Sequence, residues 1–294
     1  MAEIYAGARA RAEDACARGV SAAGCRAVFL HVHKSGGSTM CRLAQVNGMR
    51  VNARRNCLVE DLAQRVLEWH MEPPAAQEAF LLRSPLTFVA IESGSFLPVP
   101  LSDRLIFLLT FRDPADRVLS HFQHEKVVGK IPANLTFEAF LSQPFTPFWT
   151  REFYLQKMTG CLPSMCSEKH LRVAAAALEL FSAIIITDNP VTYSRSASLL
   201  RRSLGWGAVD SSRYRTGTRV SSRAKHELSD AAYNSLVEKN RLDMELYKLA
   251  VQRSAAQLEG LKGTKWDKQA QRWEDMMQRR EEAARRRPEA GAGK

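Results

Sequence analysis

Seven consecutive residues, His33-Lys34-Ser35-Gly36-Gly37-Ser38-Thr39, bring together a lysine, two glycines and three hydroxyls. Glycines adopt backbone angles barred to other residues and let a chain approach a ligand closely. Successive N–H groups can then converge on an anion, helped by the positive end of a following helix. Lys34 adds a mobile point charge, and Ser35, Ser38 and Thr39 add hydroxyl donors. Such a loop suits a phosphate or sulfate group. It is not a Walker A loop, because the Gly-x-x-x-x-Gly-Lys-Ser/Thr spacing is absent and the lysine precedes the glycines. Taken alone, a Lys-x-Gly-Gly string is equally a plain structural turn.

A second constellation is Arg112-Asp-Pro-Ala-Asp-Arg117-Val-Leu-Ser120-His-Phe. An arginine at a strand end can fork onto a phosphate. Ser120 lies eight positions on, about two helical turns, and can reach the same ligand if the helix starts near it. The competing, purely structural account has Asp113 capping a helix, Pro114 starting it and Arg117 in a surface ion pair. Either motif alone is ambiguous, whereas the two on one sheet are specific.

The elements that must hold these residues follow from apolar runs. Ala27–Val32 reads as a short strand ending at the glycine turn, and Thr39–Val46 as a helix. Cys57–His70 has helical spacing and stops at Pro73-Pro74. Thr87–Ile91, Arg104–Phe111 and Phe181–Thr187 are further strands. Helices are expected over Ala115–Val128, just past a proline, and over Lys169–Leu180. Continuous apolar strands alternating with helices predict an α/β fold with a P-loop-like parallel sheet, flanked by helices on both faces. Ligands of such sheets bind at the carboxyl ends of the strands. Lys34, Glu92 and Arg112 all follow strands there. From Ser221 onward a helical C-terminal extension is expected, with Leu236, Leu242, Leu246 and Leu249 as its apolar stripe. The expected division is an N-terminal arm over 1–26, a main domain over 27–254 and a basic helical tail over 255–294.

Composition narrows the class without deciding it. The 294 residues carry a formal net charge of +11, which favours an anionic partner such as a nucleotide, an acidic polymer or a membrane surface. Part of that charge sits in the last thirty residues, and no nucleic-acid-binding motif accompanies it. None of the six cysteines forms a Cys-x-x-Cys pair, so no zinc site is expected. Cys161 and Cys166 are close enough to close a small disulfide loop, although free thiols in a reducing cytosol fit the same spacing. No run reaches the roughly 20 apolar residues of a membrane span. The opening MAEIYAGARARAEDACARG lacks the apolar region of a signal peptide.

With these motifs in place, the chain resembles the PAPS-dependent sulfotransferases. HVHKSGGST is similar to their 5′-phosphosulfate loop and RDPADRVLSHF to their 3′-phosphate motif. The nearest flavour is the Golgi carbohydrate group that includes the heparan sulfate 2-O- and 6-O-sulfotransferases. FLHVHKSGGSTMCRL is similar to the 6-O version of the loop, and Asn240-Arg-Leu-Asp-Met-Glu-Leu-Tyr247 resembles the closing helix. The resemblance covers roughly residues 27 to 250. Ser35 and Ser38 stand where threonine is commoner, and the membrane anchor of the Golgi enzymes is not found in this sequence.

The resemblance implies transfer of a sulfuryl group from PAPS to an acceptor hydroxyl, on an acidic or neutral glycan, in the Golgi lumen, with a soluble cytoplasmic location as the alternative. It implies that Lys34 and residues Ser35, Gly36, Gly37, Ser38 and Thr39 hold the 5′ side, and that Arg112 and Ser120 hold the 3′-phosphate. Lys34 also stabilises charge on the leaving oxygen. Glu92 is the expected general base, with His70 its rival. Of His31 and His33, one is expected to pack inward, with His33 lining the site, while His121 and His124 are expected to be structural. Arg215 or Thr218, in the basic segment Asp210–Arg223, is expected to cover the donor. Neither a metal nor a specific nucleic acid is expected. The competing expectations are a P-loop-type nucleotide kinase and a non-catalytic polyanion-binding module.

Overall fold

The computed structural model describes residues 1–17, 20, 24–52, 56–58, 73–92, 102–143, 147–188, 190–209 and 226–264. Four apolar runs form the strands β1 (Arg26–Leu30), β2 (Phe88–Ile91), β3 (Leu105–Phe111) and β4 (Phe181–Ile186). They pair in parallel in the order β2-β1-β3-β4. The helices are α1 (Ala2–Ala15), α2 (Gly37–Val46), α3 (Pro74–Arg83), α4 (Pro114–Val127), α5 (Phe137–Leu141), α6 (Phe153–Thr159), α7 (Glu168–Ala177), α8 (Pro190–Leu204), α9 (Asp230–Lys239) and α10 (Arg241–Glu259). The fold is α/β.

The strands read as unbroken apolar runs because both faces of the sheet are covered. On one face Val28, Leu30, Leu109 and Phe111 share a core with Val118 and Phe122 of α4 and Leu246 of α10. On the other, Ala27, Phe29, Ile106 and Leu108 pack with Met40 and Leu43 of α2 and Tyr193 and Leu200 of α8. Each fully buried large side chain contributes roughly 1.5–3 kcal/mol, so the β3 heptapeptide, buried throughout, is the sheet's largest apolar anchor.

An unpaired strand edge exposes backbone donors and acceptors, and α10 covers that of β4 with side chains. Gln257 accepts a hydrogen bond from Ile184 N–H and donates one to the Phe181 carbonyl, while Ser254 donates to the Ile184 carbonyl. Thus α10 belongs to the sheet's architecture, and the expected boundary after residue 254 falls inside it. Similarly, α1 packs Tyr5 and Ala8 into the core beside the sheet. Leu236, Leu242 and Leu246 are buried, but Leu249, expected on the same stripe, is 37% exposed.

Two further expectations change. Helix α2 begins at Gly37 rather than Thr39, so a loop glycine forms part of its first turn. Cys57 and Leu58, expected to open a helix, instead lie beside β2: Leu58 bridges Ala90, whose N–H donates to the Cys57 carbonyl. The rest of that segment, and the tail from 265 to 294, lie outside the described residues. All six cysteines are paired, as Cys16–Cys25, Cys41–Cys57 and Cys161–Cys166. No described helix is long and apolar enough to cross a membrane.

Candidate functional site

The chain runs from β1 to β2 on one side and then returns to place β3 on the other side of β1. This reversal opens a crevice between the carboxyl ends of β1 and β3, where ligands of parallel sheets bind. Both sequence motifs enter it. After β1, Lys34 turns the chain at φ 69° and Gly36 at φ 103°, and α2 starts at once. No side chain caps this helix start, so its first N–H groups point outward as an anion site would require. Gly37 is demanded by close approach: a Cβ there would lie 1.7 Å from His31 Nε2.

Arg112 follows β3 and is 6% exposed. Its guanidinium makes no hydrogen bond or ion pair to any described residue. An anion in the crevice would give it a charge-assisted partner. The backbone of Arg112 is fixed by one hydroxyl. Tyr154 OH accepts from Arg112 N–H at 2.8 Å and donates to the Arg112 carbonyl at 2.9 Å. Its single proton thereby used, it must accept from Ser35 Oγ, 2.7 Å away. Tyr154 therefore ties the loop after β1 directly to the end of β3. Burial drives its phenol well above the ordinary tyrosine range, so it stays protonated.

Tyr154 is held in turn by two helices that cap each other. Asp243, in the first turn of α10, accepts from the N–H groups of Tyr154 and Leu155 at the start of α6. Glu152, just before α6, accepts from Leu242 and Asp243 N–H at the start of α10. Asn240 completes the joint by accepting from Glu152 N–H and donating to the Thr150 carbonyl. Each carboxylate thus satisfies donors that a helix start leaves open and lies at a positive helix end. Through Asn240 and Asp243, the start of the closing helix positions Tyr154. Arg117, which the competing structural account put in a surface ion pair, is fully buried in this joint. It donates to the Trp149 carbonyl and lies over the Phe153 ring at 4.5 Å, and burial lowers its pKa to about 10.

A second anchor lies at β4. Asp188, just past the strand, accepts from Asp113 N–H at 2.7 Å and from the Tyr247 hydroxyl of α10. Asp113 caps α4 by accepting from Asp116 N–H. Burial above all pushes Asp113 up to about 6, with Asp116 and Asp188 adding to the effect.

Beside the loop stands a histidine cluster around Glu92. Glu92 Oε1 lies 2.7 Å from His33 Nδ1 and 3.7 Å from His31 Nε2, and Lys157 of α6 donates to the Glu92 carbonyl at 2.6 Å. Burial works to raise the Glu92 carboxyl. The His33 hydrogen bond and the charges of His31, His33 and Lys157 outweigh it and hold Glu92 below the usual carboxylate range. His31 is buried against Phe29, and desolvation lowers its pKa. His33 is partly open, and its ring approaches His121 and His124 of α4, with centroids 4.4 and 5.4 Å away. His121 stacks on Trp149 at 4.1 Å. Burial first, then His33, Arg117 and Lys34, pushes His121 down to about 2, so its imidazole stays neutral.

The fold therefore brings Lys34, Ser35, Gly36, Gly37, Ser38, Thr39, Glu92 and Arg112 to one edge of the sheet. Ser120 is half-buried on α4, which flanks the loop through His121. His70, Arg215 and Thr218 lie outside the described residues. Among the described residues no group of three or more His, Cys, Asp or Glu is arranged to hold a metal ion. Sequence reasoning missed Tyr154, Lys157 and Asp188. Only Asp188 left a signal, since it follows an apolar run just as Glu92 and Arg112 do. No protein-family model matches the chain, and no curated protein matches its sequence.

Proposed function

We propose that this chain is a PAPS-dependent sulfotransferase of P-loop-like fold that moves a sulfuryl group to an acceptor hydroxyl, on a carbohydrate. The observation that carries this is the junction made by Tyr154. On one side of it lies an uncapped helix start with Lys34, and on the other a buried Arg112 with no partner for its guanidinium among the described residues. Two separate anion positions in one crevice suit a nucleotide with phosphates at both its 5′ and 3′ ends. A single phosphate loop would suit many ligands, whereas two such positions narrow the choice.

In this account the amides of Gly37 to Thr39 and Lys34 hold the phosphosulfate, and Arg112 with Ser120 holds the 3′-phosphate. The donor supplies an activated sulfuryl group, and the residues supply alignment and charge neutralisation. In this reading Lys34 stabilises the oxygen that leaves with the nucleotide. The pairing of all six cysteines supports an oxidising secretory lumen such as the Golgi. The net charge of +11 favours an acidic glycan as acceptor.

Transfer of radiolabelled sulfate from PAPS to a panel of glycans tests the assignment. Lys34→Ala is expected to lower transfer by about 100-fold or more. Full activity in that variant would refute the role given to the loop, and activity that depended on ATP and Mg²⁺ instead would favour a kinase.

A further inference from the structure

Of the seven asparagines in the chain, Asn134 alone has a serine or threonine two positions on, in the run Pro132-Ala-Asn-Leu-Thr136. The triplet Asn-x-Ser/Thr, with x other than proline, is the acceptor sequence for N-glycosylation in chains that enter a secretory lumen. Such triplets are common, so what matters is where the fold puts this one. Asn134 lies between α4 and α5, in a turn closed by Leu135 N–H donating to the Pro132 carbonyl at 3.1 Å. Thr136 follows with extended backbone, at φ −75° and ψ 158°, and starts α5 as its cap. In an extended segment, residues two apart share a face. Burial follows that alternation: Asn134 and Thr136 are exposed, whereas Leu135 packs against the core and Phe137 is buried. The carboxamide and the hydroxyl that the triplet requires therefore stand together on the outer side.

The corner is held without using Asn134. Lys126 of α4 donates to the Leu135 carbonyl at 2.9 Å, and Thr136 Oγ1 accepts from Ala139 N–H at 3.2 Å. Helix capping thus accounts for the threonine but not for the asparagine two positions before it. The Asn134 side chain makes no hydrogen bond to any described residue, so a substituent on its nitrogen displaces no contact. The cysteines supply an independent observation. All six are paired, and such bonds form and persist in the oxidising compartments of the secretory route, where this modification takes place.

We propose that Asn134 is an N-glycosylation site and carries an oligosaccharide in the mature protein. The donor is a lipid-pyrophosphate-linked oligosaccharide. A bond forms between Asn134 Nδ2 and the anomeric carbon of the reducing-end sugar. The bond from that carbon to the phosphate oxygen breaks, and its electron pair leaves with the lipid pyrophosphate. One amide proton passes to a base of the transferring enzyme, and nothing is oxidised or reduced. The inference goes beyond the sulfotransferase reading and does not depend on it.

The test starts from the full chain captured with an antibody from the cells that make it. Treatment with a peptide N-glycosidase in heavy-oxygen water, followed by trypsin, releases the peptide running from Ile131 to Arg151, in which Asn134 is the single asparagine. Mass spectrometry should find a heavy-oxygen aspartate at position 134. Recovery of that peptide with only unmodified asparagine would overturn the site. The full chain is also expressed behind a cleavable secretion leader in insect cells, as wild type, Asn134→Gln and Thr136→Ser. Wild type should migrate one glycan more slowly on a gel and lose that shift on glycosidase treatment. Thr136→Ser keeps both the cap and the acceptor hydroxyl and should retain the shift in at least part of the chains. Asn134→Gln should lack it, yet unfold at the same urea concentration as deglycosylated wild type, because no contact is removed. A secreted wild type without the shift, or a shift that persists in Asn134→Gln, would equally overturn the proposal.

Discussion

At Gly37 the backbone leaves no room for a side chain, because the His31 imidazole occupies the place where a Cβ would be. His31 is itself buried and stacked on Phe29, so it has no space into which to retreat. Gly37→Ala should therefore displace the loop rather than the histidine. The expected result is a loss of PAP affinity of about tenfold or more, with destabilisation of roughly 1–3 kcal/mol from overpacking. Calorimetry and urea unfolding would measure the two, and an unchanged affinity would contradict the loop geometry. At this scale the sequence was partly legible. Lys34, Glu92 and Arg112 stood out because each is a polar residue placed after an apolar run. Their partners did not. Tyr154 lies 119 positions from Ser35, and His33 lies 59 from Glu92, and residues joined only by folding share no local pattern.

Among the elements, the strands were legible because burial on both faces removes polar residues from them, and α4 was legible because Pro114 marks its start. Helix α6 was not. Seven residues are too few for a periodic signal, and its first turn depends on Asp243, 89 positions further on. This short helix nevertheless carries the hydroxyl that joins Ser35 of the loop to Arg112. Tyr154→Phe would leave Arg112 N–H, the Arg112 carbonyl and Ser35 Oγ without their shared partner. Leaving buried polar groups unsatisfied costs about 1–3 kcal/mol each. The variant should unfold at lower urea concentration and bind PAP about tenfold more weakly. Stability equal to wild type would mean that the tyrosine is merely a packing ring.

For the molecule as a whole, strand order decides where the chemistry can be. With β1 between β2 and β3, the loop after β1 and Arg112 emerge side by side at the reversal, and α10 secures the arrangement at three points. It covers the β4 edge through Ser254 and Gln257, caps α6 through Asp243 and holds Asp188 through Tyr247. The buried face of this helix continues past residue 254 to Gln257. The parallel sheet was legible from apolar runs, whereas its order was not, since no local feature states which strand lies beside which. That order underlies the central claim, that one ligand places an anion at each of two positions. The most direct measurement is calorimetric titration of wild type and Arg112→Ala with PAP and with AMP, which lacks the 3′-phosphate. Wild type should bind PAP at least about tenfold more tightly than AMP, as loss of a charge-assisted phosphate contact implies, and Arg112→Ala should erase that preference. Equal affinity of the wild type for the two nucleotides, or binding of neither, would contradict the account.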